Sequence, residues 1–300
     1  MRNHVLSELL MFSLLIASIT STGCLGQKNE SIISPDDSGK TVHRITDQSD
    51  AVGDEAATRL LMGRRPGVQS MDLGKSVEGR SIRMHVFGER GPVVLIFAGI
   101  HGDEQASQYV ALCLVDYLLV HEELYARRRV VVIPTVNPDG ILRCTRVNAR
   151  GVDCNRNFPA RNWRQGKPTS KFYGGPEPAS EPETRAIMQA VNSWQPIRIV
   201  SIHVAVGIPH CVNFDGPASE LAQAMAARNG YPVQEVMGHP TPGSFGTWAG
   251  KERLIPTITL ELRDRYPEPK LWSEHRNALV EAIRYSEQPA QPTTQPEAAD

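Results

Sequence analysis

His101-Gly-Asp-Glu104 sets an imidazole and a carboxylate three residues apart. On a tight turn or in a first helical turn, that spacing lets both side chains reach one cation. His203, about 100 residues further on, offers a third donor. Two histidines and one glutamate are a common catalytic zinc set that leaves a coordination position for water. Zinc in such a site acts as a Lewis acid and lowers the pKa of water from about 15.7 toward about 7. The His-x-x-Glu pair alone is a weak signal. His101 also suits a turn, and Glu104 suits a helix N-terminus, where the macrodipole favours a carboxylate.

The elements around these residues strengthen the case. Pro92-Val-Val-Leu-Ile-Phe-Ala98 is a continuous apolar run, as expected for a strand covered on both faces. A helix is predicted over 106–120. Val130-Val-Val-Ile-Pro134 reads as a second buried strand, followed by the turn Asn137-Pro-Asp-Gly140. Ser180-Glu-Pro-Glu183 has the form of a capping box opening a helix. Ile197–Ile202 and Pro256–Leu260 read as further strands, with His203 and Glu261 directly after them. Helices are also predicted over 218–228 and 271–285. Strands alternating with helices imply an α/β fold with a mixed, mostly parallel central sheet and helices on both faces. Ligand sites in such sheets gather beyond the carboxyl ends of strands. His101, Glu104, Asn137, His203 and Glu261 all fall at or just after predicted strand ends.

The chain has 300 residues, 40% of them hydrophobic and 22% charged, which excludes fibrous and wholly disordered readings. Its net charge of -1 argues against nucleic acid as a partner, because neutralising phosphates needs a basic excess. Leu9–Ile19 has the length of a signal-peptide core, with Arg2 before it and small residues leading to Cys24. Residues 1–23 are therefore expected to direct export. The product is expected to be periplasmic or held at the membrane as a lipoprotein through a lipidated Cys24. Residues 24–55 are polar and read as a flexible linker. The tail 287–300 is rich in Pro and Gln and is expected to be disordered. The catalytic domain is expected over 56–286. Cys113, Cys144, Cys154 and Cys211 remain as thiols or disulfide partners, and spacing alone gives no connectivity.

Seven stretches in sequence order resemble the zinc carboxypeptidase family: Val77–Ile82, Gly99–Glu104, Asn137–Gly140, Thr145–Pro159, Tyr173–Thr184, Ser201–His203 and Thr259–Asp264. Asn155-Arg-Asn-Phe158 and Glu261-Leu-Arg263 are the most specific of them. Thr241-Pro-Gly-Ser-Phe-Gly-Thr-Trp248 and the short chain further resemble the bacterial murein peptide amidase branch, which cuts between γ-D-glutamate and diaminopimelate.

The resemblance implies one Zn²⁺ per chain, held by His101, Glu104 and His203. It implies Glu261 as the general base, which passes the proton of the attacking water to the leaving amine. Arg146 would stabilise the oxyanion, with Arg143 as its rival nearby. Asn155 and Arg156 would grip the substrate's terminal carboxylate. Asp153 would orient a ligand imidazole. The implied substrate is a peptide or murein peptide with a free terminal carboxylate.

The sequence departs from the family's pattern at three places. Cys154 stands where an aliphatic residue is usual, and Asp103 stands where digestive members often have Arg. No Tyr stands shortly before the Gly-Ser of the pocket loop, where digestive members carry one. His239 is the nearest substitute, with Thr247 and Trp248 as further pocket candidates. Tyr231 lies too far upstream to serve, and His210 is a candidate for the pocket wall. His85, His121 and His275 read as structural. Two other functions compete with the hydrolase. One is a zinc-dependent N-acyl amino acid deacylase of the aspartoacylase or succinylglutamate desuccinylase type. The other is a non-catalytic lipoprotein that binds wall peptides.

Overall fold

The computed structural model describes residues 66–286 except residue 239. The expected signal, linker and tail, together with His239, lie outside the described residues.

Eight strands form one sheet: β1 Val68–Lys75, β2 Ser81–Phe87, β3 Val93–Ala98, β4 Arg129–Ile133, β5 Arg198–Val204, β6 Cys211–Asp215, β7 Val233–Gln234 and β8 Thr257–Leu262. Their order across the sheet is β1-β2-β4-β3-β5-β8-β6-β7. The central neighbours β4, β3, β5 and β8 run parallel, whereas β1, β2 and β6 enter antiparallel. The helices are α1 Gln105–Val120, α2 Pro138–Arg143, α3 Pro182–Trp194, α4 Ser219–Asn229 and α5 Glu268–Arg284.

Every residue of β3 and β5 is buried, because helices cover both faces of the sheet. Leu95, Phe97, Val131, Ile133 and Ile199 point to one face. There they meet Ala186, Ile187, Ala190 and Val191 of α3 and the ring cluster Phe158, Phe245 and Trp248. The alternating residues Val94, Ile96 and Val200 face α1, which presents Val110, Ala111, Leu114 and Leu118 at helical spacing. Helix α5 packs on α1 and α4. The expected mixed α/β architecture is thus the observed one.

Two local expectations differ from the structure. Strand pairing of β5 and β8 continues to Val204 and Leu262, so His203 and Glu261 lie inside the strands rather than beyond them. The capping box at Ser180 does not form. Glu181 is the N-cap of α3 and makes no side-chain capping bond. The Ser180 hydroxyl donates to Glu181 Oε1, while Glu183 accepts from the Val77 amide and from Asn148 Nδ2. Partners distant in sequence have claimed the carboxylates that local capping would use.

Strand order sets the site. From β3 the chain crosses to β4 on one side and then to β5 on the other, so a crevice opens at the carboxyl ends of β3 and β5. Register aligns three rows of residues on the α3 side of the sheet: His203, Glu261 and Cys211; Ser201, Thr259 and Asn213; Ile199, Thr257 and Asp215.

Candidate active site

The turn from β3 into α1 carries His101 and Glu104. It is held by a second turn. The Asn137 amide donates to the Gly99 carbonyl at 2.8 Å, and the Gly140 amide donates to Asn137 Oδ1 at 2.9 Å. Gly102 lets the two turns touch, since a Cβ there would fall 1.9 Å from the Gly140 carbonyl carbon. Asp139 in turn anchors the hairpin that joins β1 to β2. It accepts from Ser76 Oγ, the Glu78 amide and Arg80.

Glu104 is the N-cap of α1, but its carboxylate turns inward. Oε1 lies 2.7 Å from His101 Nδ1, and Oε2 lies 3.0 Å from His203 Nδ1. The Val204 amide also donates to Oε2 at 3.0 Å. All three side chains are buried, and one ligand atom from each lies within 4.8 Å of the others. Burial opposes ionisation of Glu104, yet the two imidazoles hold its carboxyl well below the usual range. An ionised carboxylate and two imidazole nitrogens converging away from solvent fit a zinc ion.

The far nitrogen of His101, Nε2, meets Asp153 Oδ1 at 3.1 Å. That contact fixes the ring and leaves Nδ1 free to bind a metal. Asp153 is fully buried. Burial pushes its carboxyl up, but Arg146 and His101 outweigh this and hold it well below the ordinary range. Arg146 Nε donates to Asp153 Oδ2 at 3.0 Å, and its guanidinium reaches Glu104 Oε1 at 3.5 Å. Arg143, the rival, pairs instead with Glu78 on an exposed face.

A cavity of about 480 Å³ opens over this cluster. His101, Glu104, His203, Glu261, Arg146, Asn155 and Arg156 all line it. Burial pushes the Glu261 carboxyl up to about 7; Glu104 adds to this, while His203, Arg146 and Arg156 oppose it. Asn155 Oδ1 accepts from the Phe245 amide at 2.8 Å, which leaves its amide nitrogen as the group offered to the cavity. Arg156 is buried and packs under the ring of Phe172, as does Arg146.

Several pocket candidates lie elsewhere. Thr247 is not among the lining residues; its hydroxyl bonds Ser244 Oγ at 3.0 Å, and Ser244 lines the cavity. Trp248 is fully buried against Phe158 and Arg253. The His210 ring lies tilted against Tyr231, which is itself bonded to His275 and Glu274. Cys154 sits in the core with a free thiol; Cys211 is also buried and Cys113 half-buried, and both are free thiols. Sequence reasoning missed Lys171, Phe172, Asn213, Asp215 and Lys251, all of which line the cavity. A signal existed for two of them: Cys211-Val-Asn-Phe-Asp215 puts polar side chains at alternate positions of a strand, on one face.

Residues 55–207 match the zinc carboxypeptidase family. Murein peptide amidase A of Escherichia coli is 38% identical over 171 residues, which span 53% of this chain and 67% of the amidase. Carboxypeptidase B of Astacus astacus is 29% identical over 153 residues, 41% of this chain and 49% of that enzyme. The crystal structure of a murein-tripeptide amidase from Escherichia coli O157 superposes with a TM-score of 0.61 at 30% identity. It covers 77% of this chain and 98% of that one. Bovine thrombin-activatable fibrinolysis inhibitor shares the fold, with a TM-score of 0.66 at 20% identity over 77% of this chain and 95% of that one.

Proposed function

Since the chain belongs to the zinc carboxypeptidase family, we propose that it is a zinc-dependent hydrolase of murein peptides, cutting the amide between γ-D-glutamate and a terminal diaminopimelate. The observation that carries the reading is the convergence of His101, Glu104 and His203 beside Glu261 in one cavity. The likeness to murein peptide amidases supports the choice of substrate.

His101, Glu104 and His203 would hold the ion, and Asp153 keeps the His101 ring in the orientation that presents Nδ1. When bound, zinc polarises the scissile carbonyl and acidifies water. Glu261 accepts the proton of the attacking water and returns it to the leaving nitrogen. Its carboxyl lines the same cavity as the three ligand side chains, within reach of the attacking water and the leaving group. Arg146 stands fixed by Asp153 before the reaction begins, so it stabilises the oxyanion without reorganising. The amide nitrogen of Asn155 and the buried fork of Arg156 bind the terminal carboxylate. Phe172 covers both guanidiniums and limits their contact with water.

Export fits this substrate. The apolar Leu9–Ile19 and the small residues before Cys24 support delivery to the cell envelope, with Cys24 as the lipid attachment point. Fractionation of wild type and Cys24→Ser tests this, and the variant is expected to leave the membrane fraction.

The activity is tested by incubating the zinc-loaded full chain with L-Ala-γ-D-Glu-meso-diaminopimelate and reading products by mass spectrometry. Release of free diaminopimelate by wild type, with at least a ~100-fold loss in Glu261→Gln, is expected. Release by both proteins at equal rates would refute the assignment.

A further inference from the structure

Two rows of the sheet below the reacting groups, Asp215 joins an ion pair that the catalytic scheme does not use. Asp215 sits at the end of β6, opposite Thr257 on β8 and on the same face as Glu261. Four residues separate the two levels, or about 14 Å along the strand. Asp215 is therefore too far from Glu261 to touch the scissile bond. Asn213 and Thr259 line the cavity between the two levels, and Asp215 and Lys251 line it as well.

Asp215 Oδ1 pairs with Lys251 Nζ at 3.2 Å. Its side chain is only 13% exposed, whereas Lys251 is 55% exposed. No donor among the described residues bonds Oδ2. Burial pushes the Asp215 carboxyl up, and Lys251 draws it back down.

The chain makes room for this carboxylate at some cost. A Cβ on Gly246 would fall 1.9 Å from Asp215 Oδ2, and one on Gly250 would fall 2.5 Å from Asp215 Cβ. Both glycines belong to the π-helical turn Gly246–Lys251, which also supplies Lys251. One short element thus clears space for the carboxylate and places its counter-ion.

The Asp215 carboxylate, largely shielded and paired through one oxygen, can accept a further donor that enters the cavity. An exposed ammonium with one acceptor has protons left to give. Together they complement a group bearing an ammonium and a carboxylate on the same carbon. A simple ammonium, as at the end of lysine, would satisfy Asp215 but face Lys251 as a like charge. An aliphatic end would leave the carboxylate desolvated and unpaired, which polar sites penalise strongly.

We propose that Asp215 and Lys251 are specificity-determining residues that bind the far, amino-acid-like end of the terminal residue's side chain, the ammonium at Asp215 and the carboxylate at Lys251. The proposal rests on the murein-peptide reading above and names the feature of diaminopimelate that the site selects.

Its test uses the zinc-loaded full chain and three peptides, L-Ala-γ-D-Glu-X, with X as meso-diaminopimelate, lysine or norleucine. Wild type is expected to prefer diaminopimelate over norleucine by at least ~100-fold in kcat/KM. Asp215→Asn should reduce that ratio at least tenfold, and Lys251→Met should reduce the diaminopimelate-to-lysine ratio at least tenfold. Titration calorimetry with free meso-diaminopimelate gives a readout without turnover. Each variant should weaken binding at least tenfold. Ratios and affinities within twofold of wild type in both variants would overturn the proposal while leaving the hydrolase intact. So would a wild type that prefers lysine or norleucine. A wild type that cuts none of the three peptides would overturn both readings.

Discussion

At the scale of single residues, the site is a set of buried charges that hold one another in place. Asp153 touches both His101 and Arg146. Asp153→Asn is therefore expected to weaken zinc about 10–100-fold, measured by competition with a chelator, and to slow turnover as Arg146 loses its anchor. Glu261 yields a pH prediction for the metal-free chain. Its carboxyl is raised from the usual 4.5 to about 7 on folding, so between those values the folded state binds more protons than the unfolded. Its contribution to stability must therefore fall as pH rises through that window. Glu261→Gln removes the penalty. The variant should gain on wild type from pH 4.5 to 7, by up to about 3 kcal/mol at ~1.4 kcal/mol per unit, in urea unfolding with chelator present. The residues that carry the family motifs were legible because their neighbours in sequence mark them. Asp215 and Lys251 were not, because 36 residues separate them and neither sits in a motif. Only the fold makes them a pair.

At the scale of elements, two turns and one irregular helix do the positioning. The turn bearing His101 lies against the turn Asn137–Gly140 with no room for a side chain at Gly102. Gly102→Ala should therefore cost about 1–3 kcal/mol by overpacking, seen as a lower melting temperature, and weaken zinc binding at the same time. A variant that binds zinc as wild type does would show that the turns move apart freely. The four central strands β3, β4, β5 and β8 were readable from apolar runs alone, whereas β1, β2, β6 and β7 have no such run and were not. The ends of the central strands were less legible: pairing of β5 with β8 carries the strands past His203 and Glu261. The loop 241–248 shows why side-chain directions were not readable. Its π-helical turn sends Trp248 into the core and leaves Ser244 and Gly246, rather than Thr247, on the cavity wall. A helical or extended reading of the same residues aims different side chains at the substrate.

At the scale of the whole molecule, the sheet divides the labour between its faces. One face carries the cavity and the ring cluster, and the other is sealed by α1, with α5 behind it. Buried histidines away from the site set the acid limit of the fold. Burial lowers His85 to about 4 and His275 to about 3. His275 accepts from Asn229 and donates to Tyr231, a pattern that requires the neutral ring. Between those values and the ordinary 6.5 the unfolded chain binds more protons, so both residues make stability fall as pH drops from 6.5. Urea midpoints measured from pH 7 to 4.5 should fall more, or rise less, in wild type than in His275→Gln, and the variant should also have a lower midpoint at pH 7. An unchanged slope in the variant would remove His275 from the account.

The convergence of three side chains on one ion is the claim on which the hydrolase reading stands, and metal content tests it most directly. Elemental mass spectrometry on the dialysed full chain should find about one zinc per chain in wild type and little in His101→Ala or His203→Ala. Equal zinc in all three proteins, or none in wild type after loading and dialysis, would contradict it.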